Sequence, residues 1–290
     1  MLSSLMDEPS VQQRSCHDPP RSAIIGMNVH SDKEIIVTTQ GTQGHAPRTA
    51  LVTGSTSGVG RAAAVALAQA GMSVVVHGRD AERGQSVCEE IQAAGGTATL
   101  LLADLGDVAQ VRELAERAET VTGGIDVLVN NAFEPGIYAP SADTSIEDFE
   151  LRIAINMRAP FLLTSALAPA MAERGQGAVV NVSMAAASKG VPGIALTSAT
   201  KAALEALTRS WAAEYGPRGV RVNTVSPGVV LTPANAHMLD QMHAFASTTP
   251  AQRPAEVAEV AAVIAFLASP GASFIQGANV AVDGGMLAAS

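Results

Sequence analysis

Short unbroken apolar runs alternate along this chain with longer stretches in which apolar positions recur every three or four residues. Thr49-Ala-Leu-Val52 is the first run, and Arg61-Ala-Ala-Ala-Val-Ala-Leu-Ala-Gln-Ala70 is the first helical stretch. A run of four to eight apolar residues without alternation predicts a strand buried on both faces, and the longer stretches predict helices. Further strands are expected at 73–77, 97–102, 126–129, 177–182, 220–225 and 278–282, with helices near 81–94, 107–121, 145–171, 198–215 and 254–268. Strands alternating with helices predict an α/β fold, a Rossmann-like doubly wound parallel sheet of about seven strands. Ligands in such sheets bind beyond the carboxyl ends of the strands, so the residues just after each strand are the candidate site.

The turn after the first strand is Thr53-Gly-Ser-Thr-Ser-Gly-Val-Gly60. Glycines permit a bend that a Cβ obstructs and let a ligand approach the backbone. The helix that follows aims its unpaired N–H groups and the positive end of its dipole at the turn, where a pyrophosphate can sit. Gly54, Ser55, Ser57, Gly58, Val59 and Gly60 are therefore the candidate phosphate cradle. A strand before and a helix after supply the context such a glycine turn needs.

After the second strand comes His77-Gly78-Arg79. An acidic residue here would bind the ribose hydroxyls and favour NAD; Arg79 can pair instead with a 2′-phosphate, so NADP(H) is favoured over NAD(H). Asp104 and Leu105, after the third strand, are placed beside the adenine. Asn131 and Ala132, after the fourth, are placed under the cofactor.

Composition narrows the classes. The chain has 290 residues and a formal net charge of −9, which disfavours nucleic acid or an anionic membrane as partner. No apolar run reaches ~18 residues, and the first 25 residues hold no signal-like stretch, so a cytoplasmic protein is expected. Two cysteines, Cys16 and Cys88, make no metal or disulfide pattern. No metal site is expected. Residues 1–47 are polar, carry His17, His30 and His45, and read as a flexible extension, with a short strand conceivable at Glu34–Thr38. Residues 48–290 form the single dinucleotide-binding domain.

Over residues 48–290 the chain resembles the short-chain dehydrogenase/reductase family. The resemblance rests on T-G-x-x-x-G-x-G at Thr53–Gly60, N-N-A at Asn130–Ala132 (with Phe133 where the family usually has Gly), and Asn156 within a long helix. It rests also on Ser183 after the fifth strand, on Pro227-Gly228 with Thr232 after the sixth, and on the ending Val282-Asp-Gly-Gly285. It implies cofactor contacts from Pro227, Gly228, Val230, Thr232 and Lys201, catalytic roles for Asn156, Ser183, Thr197 and Lys201, and a homo-oligomer, a tetramer by family habit. The apolar helix positions Leu162, Leu163, Leu167, Met171, Leu204, Leu207 and Trp211 are expected to exceed what one sheet face covers.

One position departs from the family. Its Y-x-x-x-K becomes Thr197-Ser-Ala-Thr-Lys201. A threonine hydroxyl donates a hydrogen bond, but it is a far weaker acid than a phenol. Tyr138, in the loop after the fourth strand, is an alternative acid; Tyr215 reads as structural. Three functions stay open. The first is NADP(H)-dependent hydride transfer to or from a small or medium apolar carbonyl or alcohol. The others are reduction of a conjugated alkene of enoyl or dienoyl type, and a non-redox or cofactor-binding regulatory or scaffold role. Residues 229–250, with Val229, Leu231, Met238, Leu239, Met242 and Phe245, read as a lid over an apolar substrate or as the core of an added helix pair.

Overall fold

A computed structural model describes residues 47–135 and 138–289. Among them are seven strands: β1 Thr49–Val52, β2 Ser73–Gly78, β3 Thr97–Leu102, β4 Val127–Asn130, β5 Gly177–Val182, β6 Val220–Pro227 and β7 Asn279–Val282. All pair in parallel, in the order β3-β2-β1-β4-β5-β6-β7. The sequential order turns back between β1 and β4, and a crevice opens there beyond the carboxyl ends. The possible strand at Glu34–Thr38, Cys16 and the three early histidines lie outside the described residues.

The helices are α1 Gly58–Gln69, α2 Ala81–Ala93, α3 Val108–Thr122, α4 Ile146–Ile153, α5 Ala159–Glu173, α6 Ala195–Tyr215, α7 Leu239–Ala246 and α8 Val257–Ala268. The helix expected over 145–171 is α4 and α5 joined by a π-helical turn, Ala154–Arg158. Pro160 has no N–H to return to the carbonyl of Asn156, which relaxes the ladder at this turn. The start of α6 at Ala195, earlier than the expected 198, brings Thr197 into its first turn.

The strand runs lack alternation because both faces are covered. Leu51 packs with α3, α5 and α6 through Leu114, Leu163, Leu167 and Leu204. Its neighbours Ala50 and Val52 pack on the other side with Leu67 of α1, Ile91 of α2 and Ile264 of α8. Cys88 belongs to that second layer, and burial pushes its thiol up to about 11, so it is a packing residue and no nucleophile.

The apolar positions expected to exceed one sheet face are accommodated within the chain. Leu163, Leu167, Met171, Leu204 and Trp211 are buried, and Leu162 and Leu207 pack partly against the same cluster. Phe161, Phe266 and Phe274 remain exposed instead. The 229–250 segment is not a buried helix pair either. It is a short 3-10 stretch, Pro233–Met238, followed by α7, whose one buried residue is Ala246.

Candidate functional site

Gly54 (φ +64°) and Gly58 (φ +54°) hold left-handed backbone that a side chain resists. A Cβ on Gly54 would stand 2.8 Å from the Cα of Ala132, and one on Gly60 would run into the carbonyl of Gly54 and the amide of Asn131. The turn therefore nests against the end of β4. Thr53 Oγ1 donates to the Val129 carbonyl at 3.2 Å and accepts from the N–H groups of Asn131 and Ala132, each at 3.0 Å. Asn131 Nδ2 donates to the carbonyls of Thr53 and Gly54, so this amide shapes the cradle. Ser57, the residue before α1, makes no side-chain cap, which leaves the first N–H groups of the helix facing the cleft. These features fit a dinucleotide pyrophosphate.

Two buried side chains brace the cradle. Ser55 Oγ donates to the Val52 carbonyl at 2.7 Å and accepts from the N–H of His77 at 2.9 Å. Ser55 is thus a strut between β1 and β2 and does not line the cleft. Gly54 N–H donates to His77 Nδ1 at 3.2 Å, so the ring proton sits on Nε2, which faces the Ala103 carbonyl at 3.2 Å. Burial holds the His77 imidazole neutral, down to about 4, against the opposing pull of that carbonyl and of Asp104. Neither bracing role is marked by residue type or spacing.

The crevice is a cleft of about 690 Å³. Apart from Ser55, every residue expected to bind cofactor lines it: Gly54, Ser57, Gly58, Val59 and Gly60 at the turn; Arg79, Asp104 and Leu105 at one end; Asn131, Ala132 and Lys201 along the wall; Pro227, Gly228, Val230 and Thr232 at the other end. Arg79 is exposed and makes no ion pair among the described residues. Arg83, Phe133, Met184 and His237 also line the cleft, and the motifs did not mark them. Asp104 accepts from the N–H of Gly106 at 2.9 Å, which shapes its turn.

Of the four residues given catalytic roles, Ser183 and Lys201 line the cleft. Lys201 Nζ donates to the Val182 carbonyl at 2.7 Å and lies 4.6 Å from the centre of the Phe133 ring. Burial draws its ammonium down to about 7. Ser183 Oγ donates to Glu205 Oε1 at 2.7 Å. Asn156 and Thr197 stand behind the wall. Asn156 is fully buried; its Oδ1 accepts from the N–H of Glu134 at 2.8 Å and its Nδ2 donates to the Glu134 carbonyl at 3.0 Å. Thr197 Oγ1 donates to the Pro135 carbonyl and accepts from Arg152 Nη1, both at 3.1 Å. Arg152 is buried and forked onto Asp148, 3.1 Å from Nε and 2.5 Å from Nη2. Together Asn156, Thr197 and Arg152 clamp the Glu134–Pro135 strip of the wall. Tyr138 is exposed and packs on Gly193, outside the cleft; Tyr215 is buried beside Arg218.

Residues 54–287 match a family model described as Enoyl-(Acyl carrier protein) reductase. The cis-4-hydroxycyclohexanecarboxylate dehydrogenase of Sinomonas cyclohexanicum is 39% identical over 244 residues, 84% of this chain and 98% of that protein. A solved short chain dehydrogenase/reductase family protein shares 44% identity with a TM-score of 0.77, over 83% of this chain and 97% of its own. The gluconate 5-dehydrogenase of Burkholderia cenocepacia, solved in complex with NADP and tartrate, shares 32% identity with a TM-score of 0.78, over 84% of this chain and 96% of its own.

Proposed function

The chain belongs to the short-chain dehydrogenase/reductase family, and from that premise we propose that it transfers hydride between NADP(H) and a small or medium apolar carbonyl or alcohol. One observation carries this reading: the glycine cradle, Arg79, Ser183 and Lys201 all line a single cleft. The turn Gly54–Gly60 holds the pyrophosphate, Arg79 the 2′-phosphate, and Lys201 the nicotinamide ribose. Bound there, the dinucleotide supplies or accepts the hydride. Phe133, Met184, Val230 and Met238 give the substrate end an apolar lining, with the 229–250 segment as its lid. Ser183 meets the substrate oxygen.

Thr197 takes the place of the family tyrosine without taking its chemistry. Its single proton is committed to the Pro135 carbonyl, and its oxygen already accepts from Arg152. That same observation favours a second reading, reduction of a conjugated alkene, in which an enolate oxygen needs stabilising and no phenol has to protonate it. The match to an enoyl reductase family model agrees with it.

Two measurements test the proposal. Purified protein is assayed with NADPH against cyclic ketones and 2-enoyl thioesters, and with NADP⁺ against cyclohexanol and 1-phenylethanol. Turnover of ketone and alcohol is the expected result; turnover of the thioesters alone selects the second reading, and none at all rejects both. In binding titrations Arg79→Ala should weaken NADPH by ~1.5–3 kcal/mol, the range for a hydrogen bond to a charged group, and leave NADH unchanged. Equal NADPH and NADH curves for the unmutated protein would sink the NADP(H) assignment.

A further inference from the structure

Phe133 stands where the family usually has Gly, and its ring meets the one ammonium in the cleft wall. The ring centre lies 4.6 Å from Lys201 Nζ, within reach of a cation–π contact. The same ammonium donates to the Val182 carbonyl of β5 at 2.7 Å. Lys201 is only 3% exposed although it lines the cleft, and among the described residues it makes no ion pair. The charged side chains on the elements around it are engaged apart from it or unpaired with it. Glu205, one turn further along α6, accepts from Ser183 at 2.7 Å; Arg152, behind Thr197 one turn earlier, is forked onto Asp148; Glu134 follows Phe133 on the wall. Burial is the cause that draws the ammonium down to about 7.

The backbone that carries the ring is fixed on both sides. Ala132 N–H donates to Thr53 Oγ1 at 3.0 Å, and Asn156 bonds the N–H and the carbonyl of Glu134 at 2.8 and 3.0 Å. The Pro135 carbonyl accepts from Thr197 at 3.1 Å. Only the side-chain torsions of Phe133 remain, and the contact with the ammonium selects among them. An ammonium has three protons, so the bond to Val182 leaves donors for a ligand in the cleft.

We propose that Phe133 is the positioning residue for Lys201: its ring seats the ammonium beside the β5 carbonyl and shields it from water, so that the lysine meets the nicotinamide ribose from a fixed and dry place. The contact with the ribose rests on the hydride-transfer reading; the seat itself does not. No bond is made or broken by Phe133. A glycine at this position would leave the ammonium open to solvent, and the lysine would have to be ordered when the cofactor arrives.

The chain has three lysines, Lys33, Lys189 and Lys201, so ¹³C NMR of protein labelled at the lysine side chains resolves the test. Lys201→Met assigns the signal by its loss. In Phe133→Gly the Lys201 titration should move up from about 7 toward the ordinary 10.5, by about one pH unit or more, because water reaches the ammonium. Phe133→Tyr, which restores a ring, should return it to the parent position. Phe133→Ala carries the same comparison should Phe133→Gly loosen the turn, since the bonds that fix this stretch come from its neighbours. The charged lysine is the form that attracts the ribose oxygens. NADPH affinity of the parent should therefore fall about tenfold as pH rises from about 7.5 to 9, and the fall should be absent from that window in Phe133→Gly and restored in Phe133→Tyr. A change of fold stability alone would move neither the lysine titration nor this pH dependence. A Lys201 signal that titrates alike in the parent, Phe133→Gly and Phe133→Ala, or an NADPH affinity with one pH dependence in all the variants, would overturn the proposal while the hydride-transfer reading stands. A parent that binds no NADPH overturns that reading and the ribose contact with it, and the lysine titration then decides the seat.

Discussion

His77 shows what a single buried residue contributes that no motif records. Its ring accepts from Gly54 and faces Ala103, so it links the ends of β1, β2 and β3 around the cradle, and the bond from Gly54 requires the neutral form. Its folded value of about 4 lies below the ordinary 6.5. Between those values the unfolded chain binds the proton and the folded one does not, so stability falls as pH drops from about 6.5 toward 4 and levels off below that. Urea unfolding should show a loss of roughly 2 kcal/mol between about pH 8 and pH 5 that is missing in His77→Asn. Matching pH dependence in the two proteins would remove His77 from this role. At this scale the glycines, Arg79, Ser183 and Lys201, singled out by residue type and spacing, do line the cleft. The roles of Ser55, His77 and Arg152 were not legible in the sequence, because each acts through a partner 20 or more positions away, as with Ser55 and His77 (22 apart), His77 and Ala103 (26), and Arg152 and Thr197 (45).

Among the elements, the join of α4, the π turn and α5 against the first turn of α6 decides what Thr197 does. The family resemblance implied a catalytic role for Thr197 alongside Lys201. Instead α4 delivers Arg152 to the Thr197 hydroxyl, and the π turn delivers Asn156 to the backbone of Glu134. Thr197→Val keeps the shape but removes the acceptor for Arg152 Nη1 and the donor to the Pro135 carbonyl. It should cost ~1–3 kcal/mol in urea unfolding, with Thr197→Ser close to the parent. Thr197→Tyr forces a ring into space that Arg152 adjoins, so it should lower the unfolding midpoint before it creates any ketone reductase. A Thr197→Val protein as stable as the parent would show the clamp to be idle.

Across the whole molecule, the exposed aromatics are the feature the chain alone does not resolve. Phe161 on α5, Phe266 on α8 and the fully exposed Phe274 leave apolar surface on two sides. We expect a tetramer, four times 29.5 kDa by light scattering at micromolar concentration, and smaller species for Phe161→Glu; a monomeric parent would refute this. No helix of the described residues is long and apolar enough to cross a membrane. The fold was readable from the sequence because a parallel sheet covered on both faces needs continuous apolar strands, and the glycine cradle because its steric demand falls on neighbouring residues. Only the tertiary structure decided that Asn156 and Thr197 stand behind the wall, that the apolar helix positions are satisfied within the chain, and that Ser183 meets Glu205. Those outcomes depend on which helix faces which across the sheet, and burial and long-range hydrogen bonds fix that after the local pattern has done its part.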